Sequence, residues 1–271
     1  MKFGVSTFIT DEGIEPTVLG PALEERGFAS LFVAEHTHIP VSRETPYPGG
    51  GELPRMYYRT LDPFVSLTAA AVVTERLELG TGITLIIERD PIILAKEVAS
   101  LDLVSGGRTV VGIGAGWNRE EMRNHGVDPK TRMARMREYV LAMREIWTKD
   151  QAEFHGEFVD FDPIFSWPKP VRRPPILVGG WGPKTLDRVL EFGDGWMPVA
   201  ARGDGKLANA IKELRKRAGR HVPVVAYAVE PEPEVVEQLI LAGVDEILFD
   251  LPTVPTAETL ERLDRMALLI K

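Results

Sequence analysis

Residues 110–118 read VVGIGAGWN. If this is a dinucleotide-binding turn the chain is a Rossmann domain; if it is the end of one strand among many, the fold is something else. The glycines fall at 112, 114 and 116. A G-x-G-x-x-G fingerprint needs its third glycine where this chain has Trp117, so the spacing fails. The fingerprint also belongs after the first strand of a βαβαβ half, whereas here several strands have already passed. The run TVVGIGAG (109–116) is instead one of eight short segments rich in β-branched residues. The others are 3–9, 30–36, 77–86, 175–181, 195–199, 223–229 and 246–251.

Stretches with helical apolar spacing alternate with these strands, over 18–27, 62–73, 91–107, 135–147, 185–193, 206–219, 235–243 and 259–270. Asp62-Pro63 and Asp90-Pro91 each read as an N-cap followed by proline at the first helical position. Gly27, Gly106, Gly193 and Gly243 sit where helices should stop. Strict alternation implies a parallel sheet, and eight repeats close most naturally into an α/β (β/α)8 TIM barrel. A chain of 271 residues fits one such domain, 1–271. Two connections exceed a plain turn. Residues 37–61, after the second strand, lie on the face where barrel loops build active sites, and form a lid or substrate wall carrying Tyr47, Tyr57 and Tyr58. Residues from about 149 to 173, before the fifth strand, contain EFHGEFVDF (153–161), which alternates like a small hairpin and is either decoration or part of the site.

The net charge of −8, with a pI near 5.3 and no basic run, disfavours nucleic acid or an anionic membrane as partner. The absence of cysteine removes disulfides, thiolate metal sites and cysteine nucleophiles together. The opening MKFGVSTFI leads straight into a strand, and no signal-like or membrane-spanning apolar run occurs, so a cytoplasmic protein is expected.

Chemistry in a barrel gathers at the C-terminal ends of strands. The second strand ends in Glu35-His36, the third passes through Thr81-Gly82-Ile83, and the fourth ends in Ala115-Gly116-Trp117. The fifth ends in GGWGPKT (179–185), and the eighth offers Asp250. His36 stands out for proton transfer because imidazole titrates near neutrality; the alternative is a histidine simply hydrogen-bonded into the rim. Glu35 is adjacent along the strand and points the opposite way, which suits a supporting role at a cofactor-binding site or backbone capping. His36-x-His38 also resembles the paired histidines of metal-dependent barrel hydrolases. Such a site needs ligands from other strands; the fifth and sixth strands end in Gly-Trp and Met-Pro-Val-Ala, and His125, His155 and His221 fall elsewhere, so no metal is expected.

The glycine-rich strand ends let a flat or bulky ligand approach the backbone and expose N–H groups. In GGWGPKT the loop runs into a helix whose first turn would hold Pro183, Lys184 and Thr185. It is either an anion site built from Gly179, Gly180, Trp181, Gly182 and Thr185 or a tight turn that needs glycine for packing. Three such strand ends on one face, with few ionisable groups, fit a bound cofactor better than a hydrolase.

ERGFASLFVAEH (25–36), LGTGITLIIERDPIILAKEVASLDLVSGGR (79–108), VVGIGAGWNREEM (110–122), PPILVGG (174–180) and EFGDGWMPV (191–199) together resemble the bacterial luciferase-like flavin and deazaflavin oxidoreductases. The likeness spans roughly 1–200 and is most similar to the coenzyme F420-dependent branch found in actinobacteria. It implies a hydride-transferring oxidoreductase acting with F420 on a small organic substrate. The ring would lie against a bulge in the third strand with a cis peptide at Gly82–Ile83, Ile83 behind it, and Ala115, Gly116 and Trp117 beside it. Within the resemblance His36 matches a proposed proton donor. Sugar-phosphate dehydrogenases of the family carry a glutamate proton acceptor where this chain has Trp117; the departure removes that partner and points to an apolar or aromatic substrate. FMN is the alternative cofactor, with a monooxygenase as the corresponding activity, and a non-catalytic flavin-binding protein is the alternative of another class. Arg55, Arg59, Arg89, Arg119 and Lys184 are candidates for a basic rim receiving the acidic F420 tail. The resemblance also implies a homodimer, by analogy alone.

Overall fold

The structure is a computed structural model describing residues 1–200 and 205–270. In chain order its elements are β1 (Lys2–Thr7), α1 (Pro16–Glu25), β2 (Ser30–Val33), α2 (Pro63–Ala71), β3 (Glu78–Thr81), β4 (Thr84–Leu85), α3 (Pro91–Ser105), β5 (Thr109–Gly114), α4 (Arg119–Asn124) and α5 (Arg132–Thr148). There follow β6 (Ala152–His155), β7 (Asp160–Ile164), β8 (Ile176–Gly179), α6 (Thr185–Phe192), β9 (Gly195–Met197), α7 (Leu207–Ala218), β10 (Val225–Val229), α8 (Pro233–Ala242), β11 (Glu246–Asp250) and α9 (Thr256–Met266).

Eight strands run parallel in the order β10-β11-β1-β2-β3-β5-β8-β9, and the two-residue β4 pairs with β5 beyond the end of β3. Bridges from Trp196 to Val224 and from Val199 to Tyr227 bring β9 against β10, so the barrel expected from the alternation is nearly closed. The insertions fall where expected, after β2 and before β8. The second is built on the antiparallel β6–β7 hairpin.

Local chemistry sets the boundaries. Asp62 and Asp90 cap α2 and α3, each accepting hydrogen bonds from two first-turn amides with proline next in line. Gly106 and Gly243 close α3 and α8 in the left-handed conformation, Gly27 follows α1 by two residues, and Gly193 ends α6 with extended backbone. Two expectations are corrected. α6 begins at Thr185, so Pro183 and Lys184 precede the helix rather than forming its first turn. A six-residue α4 follows β5, too short to show periodicity.

Side chains alternate between two cores. Outward residues such as Leu31, Val111 and Ile113 join the larger core against the helices, while Phe32, Val110, Leu177, Met197, Val225 and Leu248 fill the barrel, with Ile83 and Tyr227 packed on them. The glycines of VVGIGAGWN now acquire a physical reason. Gly112 and Gly114 follow Val110 at alternate, inward positions. A Cβ at Gly112 would strike the Thr81 carbonyl and Met197 Cε, and one at Gly114 would strike Ile83 Cδ1. β5 lacks side chains there because the kinked end of β3 occupies the space.

Candidate functional site

The Gly82–Ile83 peptide at that kink is cis, as the resemblance implied. Its surroundings account for several of the residues expected to bind a cofactor. Thr81 Oγ1 donates to the Gly112 carbonyl at 2.7 Å, and the Gly82 amide to the Val33 carbonyl at 2.7 Å. The side-chain-free faces of Gly82 and Gly179 are filled by Tyr227 and by Ile83 and the Ile113 carbonyl. Packing between neighbouring strands therefore accounts for the lack of side chains at Gly82 and Gly179. Ile83 is half-buried above the inner core.

Glu35 is buried. Its carboxylate accepts hydrogen bonds from Thr84 Oγ1, from the Leu85 amide at 2.7 Å and from Arg89 Nε at 2.7 Å. These are the contacts of a backbone cap that supports the β3–β4 segment, one of the roles expected of it. Arg89 also reaches Asp62 and, at 2.9 Å, Glu97. Burial works against its charge, but Glu35 and Asp62 prevail and raise its pKa further.

His36 is also buried. Its Nδ1 lies 2.8 Å from Glu121 Oε2, with both side chains out of solvent. Glu121 is a residue that sequence reasoning missed. The absence of a glutamate at Trp117 does not leave His36 without an acidic partner; α4 supplies one from its first turn. Asn118 caps that helix, its Oδ1 accepting from the Glu120 and Glu121 amides at 3.2 and 3.3 Å. The signal lay in Asn118-Arg119-Glu120-Glu121, an N-cap residue with acidic residues in the turn after it. Glu120 faces the loop after β2 and accepts from the Thr45 amide at 2.8 Å and from its hydroxyl. Burial acts to raise its carboxyl, yet these bonds hold it below the usual range.

That loop already lies over His36. Tyr57 and Trp117 pack at centroid distances of 5.1 and 5.9 Å from the imidazole, and Tyr47 bridges them at 5.4 and 6.0 Å. Arg55 and Arg59 fasten the loop to Glu12 and Asp11. Tyr58, expected as a third wall residue, is instead largely exposed. Ala115 is buried, and Gly116 and Trp117 are half-buried at the end of β5.

At the end of β8, Gly180 has φ +103°, and a Cβ there would meet nothing within 4 Å. Trp181 stacks on Trp196 at 4.9 Å, and the Trp196 indole N–H donates to the Gly180 carbonyl. Gly182 is exposed and Thr185 is buried at the start of α6, which has no side-chain cap. Of the five basic residues considered for the rim, Arg55, Arg59 and Arg89 are committed to acidic partners, whereas Arg119 and Lys184 form no ion pair among the described residues. His38 is hydrogen-bonded to Thr37 and Asn124, and His125 to Thr37. Among the described residues no group of three or more His, Cys, Asp or Glu side chains is arranged to hold a metal ion, and no helix is long and apolar enough to cross a membrane.

The chain is 41% identical over 275 residues to an uncharacterized protein of Mycobacterium tuberculosis, covering 98% of each. In structure it is similar to monooxygenase RslO1 from Streptomyces bottropensis (TM-score 0.83, 21% identity, 100% and 98% of the two chains covered). It is also similar to an F420-dependent secondary alcohol dehydrogenase in complex with an F420-acetone adduct (TM-score 0.78, 21% identity, 100% of both chains covered). A family model described as luciferase-like monooxygenase matches residues 17–253, and the chain belongs to that family.

Proposed function

We propose that the protein is an oxidoreductase passing a hydride between bound coenzyme F420 and a small apolar or aromatic organic substrate, with His36 moving the accompanying proton. The observation that carries this is the buried His36–Glu121 pair beneath a wall of Tyr47, Tyr57 and Trp117. Glu121 fixes the imidazole through Nδ1 and leaves Nε2 as the nitrogen that exchanges a proton with substrate. The aromatic wall excludes water and stacks on an apolar reactant.

The barrel mouth fits a flat, anionic cofactor. The open backbone at Gly180, the loop through Trp181 and Gly182, and the uncapped start of α6 with Thr185 form a cradle for a phosphate. Ile83 would back the ring, and Ala115, Gly116 and Trp117 would line its edge. When bound, the deazaflavin supplies the carbon that gives or takes the hydride. The dehydrogenase of similar fold, in complex with an F420-acetone adduct, supports this choice.

An FMN-dependent monooxygenase is the second reading. It is favoured by the commitment of Arg55, Arg59 and Arg89 to acidic partners, which leaves fewer free cations for the F420 tail. The test loads the protein with each reduced cofactor and offers apolar and aromatic carbonyl compounds and alkenes, with and without oxygen. Substrate-dependent oxidation of reduced F420 under anaerobic conditions is expected. Oxygen-dependent turnover with FMN alone would favour the monooxygenase, and binding without turnover would leave a flavin store or sensor.

A further inference from the structure

A third buried carboxyl, Glu88, lies within electrostatic reach of Glu121, and the chemistry above makes no use of it. Glu88 ends a single 3-10 turn (Ile86–Glu88) after β4. Its side chain is 1% exposed, and neither oxygen has a hydrogen-bond partner. Oε1 of Glu121, the oxygen not facing His36, is likewise buried and without a partner. Leaving buried carboxylate oxygens unpaired is costly. One proton held between two neighbouring carboxyls relieves both, since the acid form of one can donate to the carboxylate of the other.

The groups facing Glu88 come from three sides. Glu121 belongs to α4. Glu35, at the end of β2, has its charge met by Arg89. His125, just past α4, places Nε2 at 3.9 Å from Glu88 Oε2, with the same nitrogen hydrogen-bonded to Thr37 Oγ1 at 2.9 Å. Burial first, then Glu121 and Glu35, push the Glu88 carboxyl up to about 9. Burial first, then His38, pushes His125 down. Glu88 and His125 also line a cavity of about 340 Å³ between α5 and the β6–β7 hairpin, with Arg135, Tyr139, Phe158 and Asp160 around it. His125 is 26% exposed, so this side of the cluster reaches water.

We propose that Glu88 is a buried proton donor to Glu121 and the link through which the His36–Glu121 pair exchanges protons with the side cavity. The proton that His36 gives or takes at Nε2 is balanced by one passing between Glu121, Glu88 and the cavity by way of His125. Each N–H or O–H bond formed matches one broken, and no other reactant is needed. Glu88 is a positioning residue, acting on the site through Glu121. The proposal rests on His36 as proton carrier, but its test needs neither cofactor nor substrate, so it fails or stands separately from the redox assignment.

The test is Glu88→Gln, which keeps the size and a donor toward Glu121 but cannot ionise. Infrared spectra of the wild-type protein at pH 7 should show a protonated carboxyl band that the variant loses. In D2O that band should shift more slowly in His125→Leu. Stability gives an independent readout with a fixed sign. Glu88 holds its proton in the fold up to about pH 9 and in the unfolded chain only up to about 4.5. The folded state therefore binds more protons between these values, and wild-type stability falls relative to the variant as pH rises through that window. The difference in Tm should widen from pH 5 to pH 9 and then level. Labelling glutamate carboxyls with 13C in the wild-type chain reads the same titration without any substitution. A protonated band that survives Glu88→Gln, a Tm difference independent of pH, or glutamates that all titrate below about pH 6 would overturn the proposal. Unchanged exchange in His125→Leu would overturn the route through the cavity.

Discussion

His36 is oriented by a carboxylate 85 positions away in the chain, and this pairing decides what its loss should do. His36→Ala is expected to lower turnover by roughly 10²-fold or more while leaving cofactor affinity close to wild type. Glu121→Gln should retain more turnover and move the pH profile, because the ring stays in place without its charged partner. Steady-state kinetics beside a binding titration check both; weakened cofactor binding with unchanged turnover would make His36 a binding residue. At this scale the sequence was partly legible. A histidine closing a barrel strand can be read from its position, but its partner cannot, since Glu121 depends on how α4 is laid across the end of β5. Arg89 was misjudged for the same reason. As a string it is a cation near a strand end, whereas in the fold it joins Glu35, Asp62 and Glu97.

Among the elements, the caps at Asp62 and Asp90 and the alternation along β5 were readable, because each depends on residues a few positions apart. The meaning of the β5 glycines was not, because the atoms they accommodate belong to Thr81, Ile83 and Met197 on other strands. Gly114→Ala places a methyl group into Ile83 Cδ1 and is expected to destabilise the protein by about 1–3 kcal/mol. Ile83→Val removes that atom, so the double variant should recover part of the loss. Denaturant unfolding of the two single variants and the double one gives the coupling. Strictly additive losses would show that Gly114 is needed for some reason other than room for Ile83.

For the molecule as a whole, the βα rhythm was enough to anticipate the barrel and its two insertions. The rhythm carries no information about the cofactor, because F420 and FMN share a tricyclic ring and a phosphate and would use the same cradle at Gly180–Thr185. They differ in the tail, where F420 adds several carboxylates that, in the proposed complex, would run outward past Arg119 and Lys184 on a chain whose net charge is −8. Attraction between the tail and those exposed cations is screened by salt. The most direct measurement is therefore a paired equilibrium titration of the purified protein with F420 and with FMN at low and high ionic strength. The account predicts saturable F420 binding that weakens with salt more steeply than FMN binding does; tight FMN binding with no measurable F420 binding at either ionic strength would contradict it.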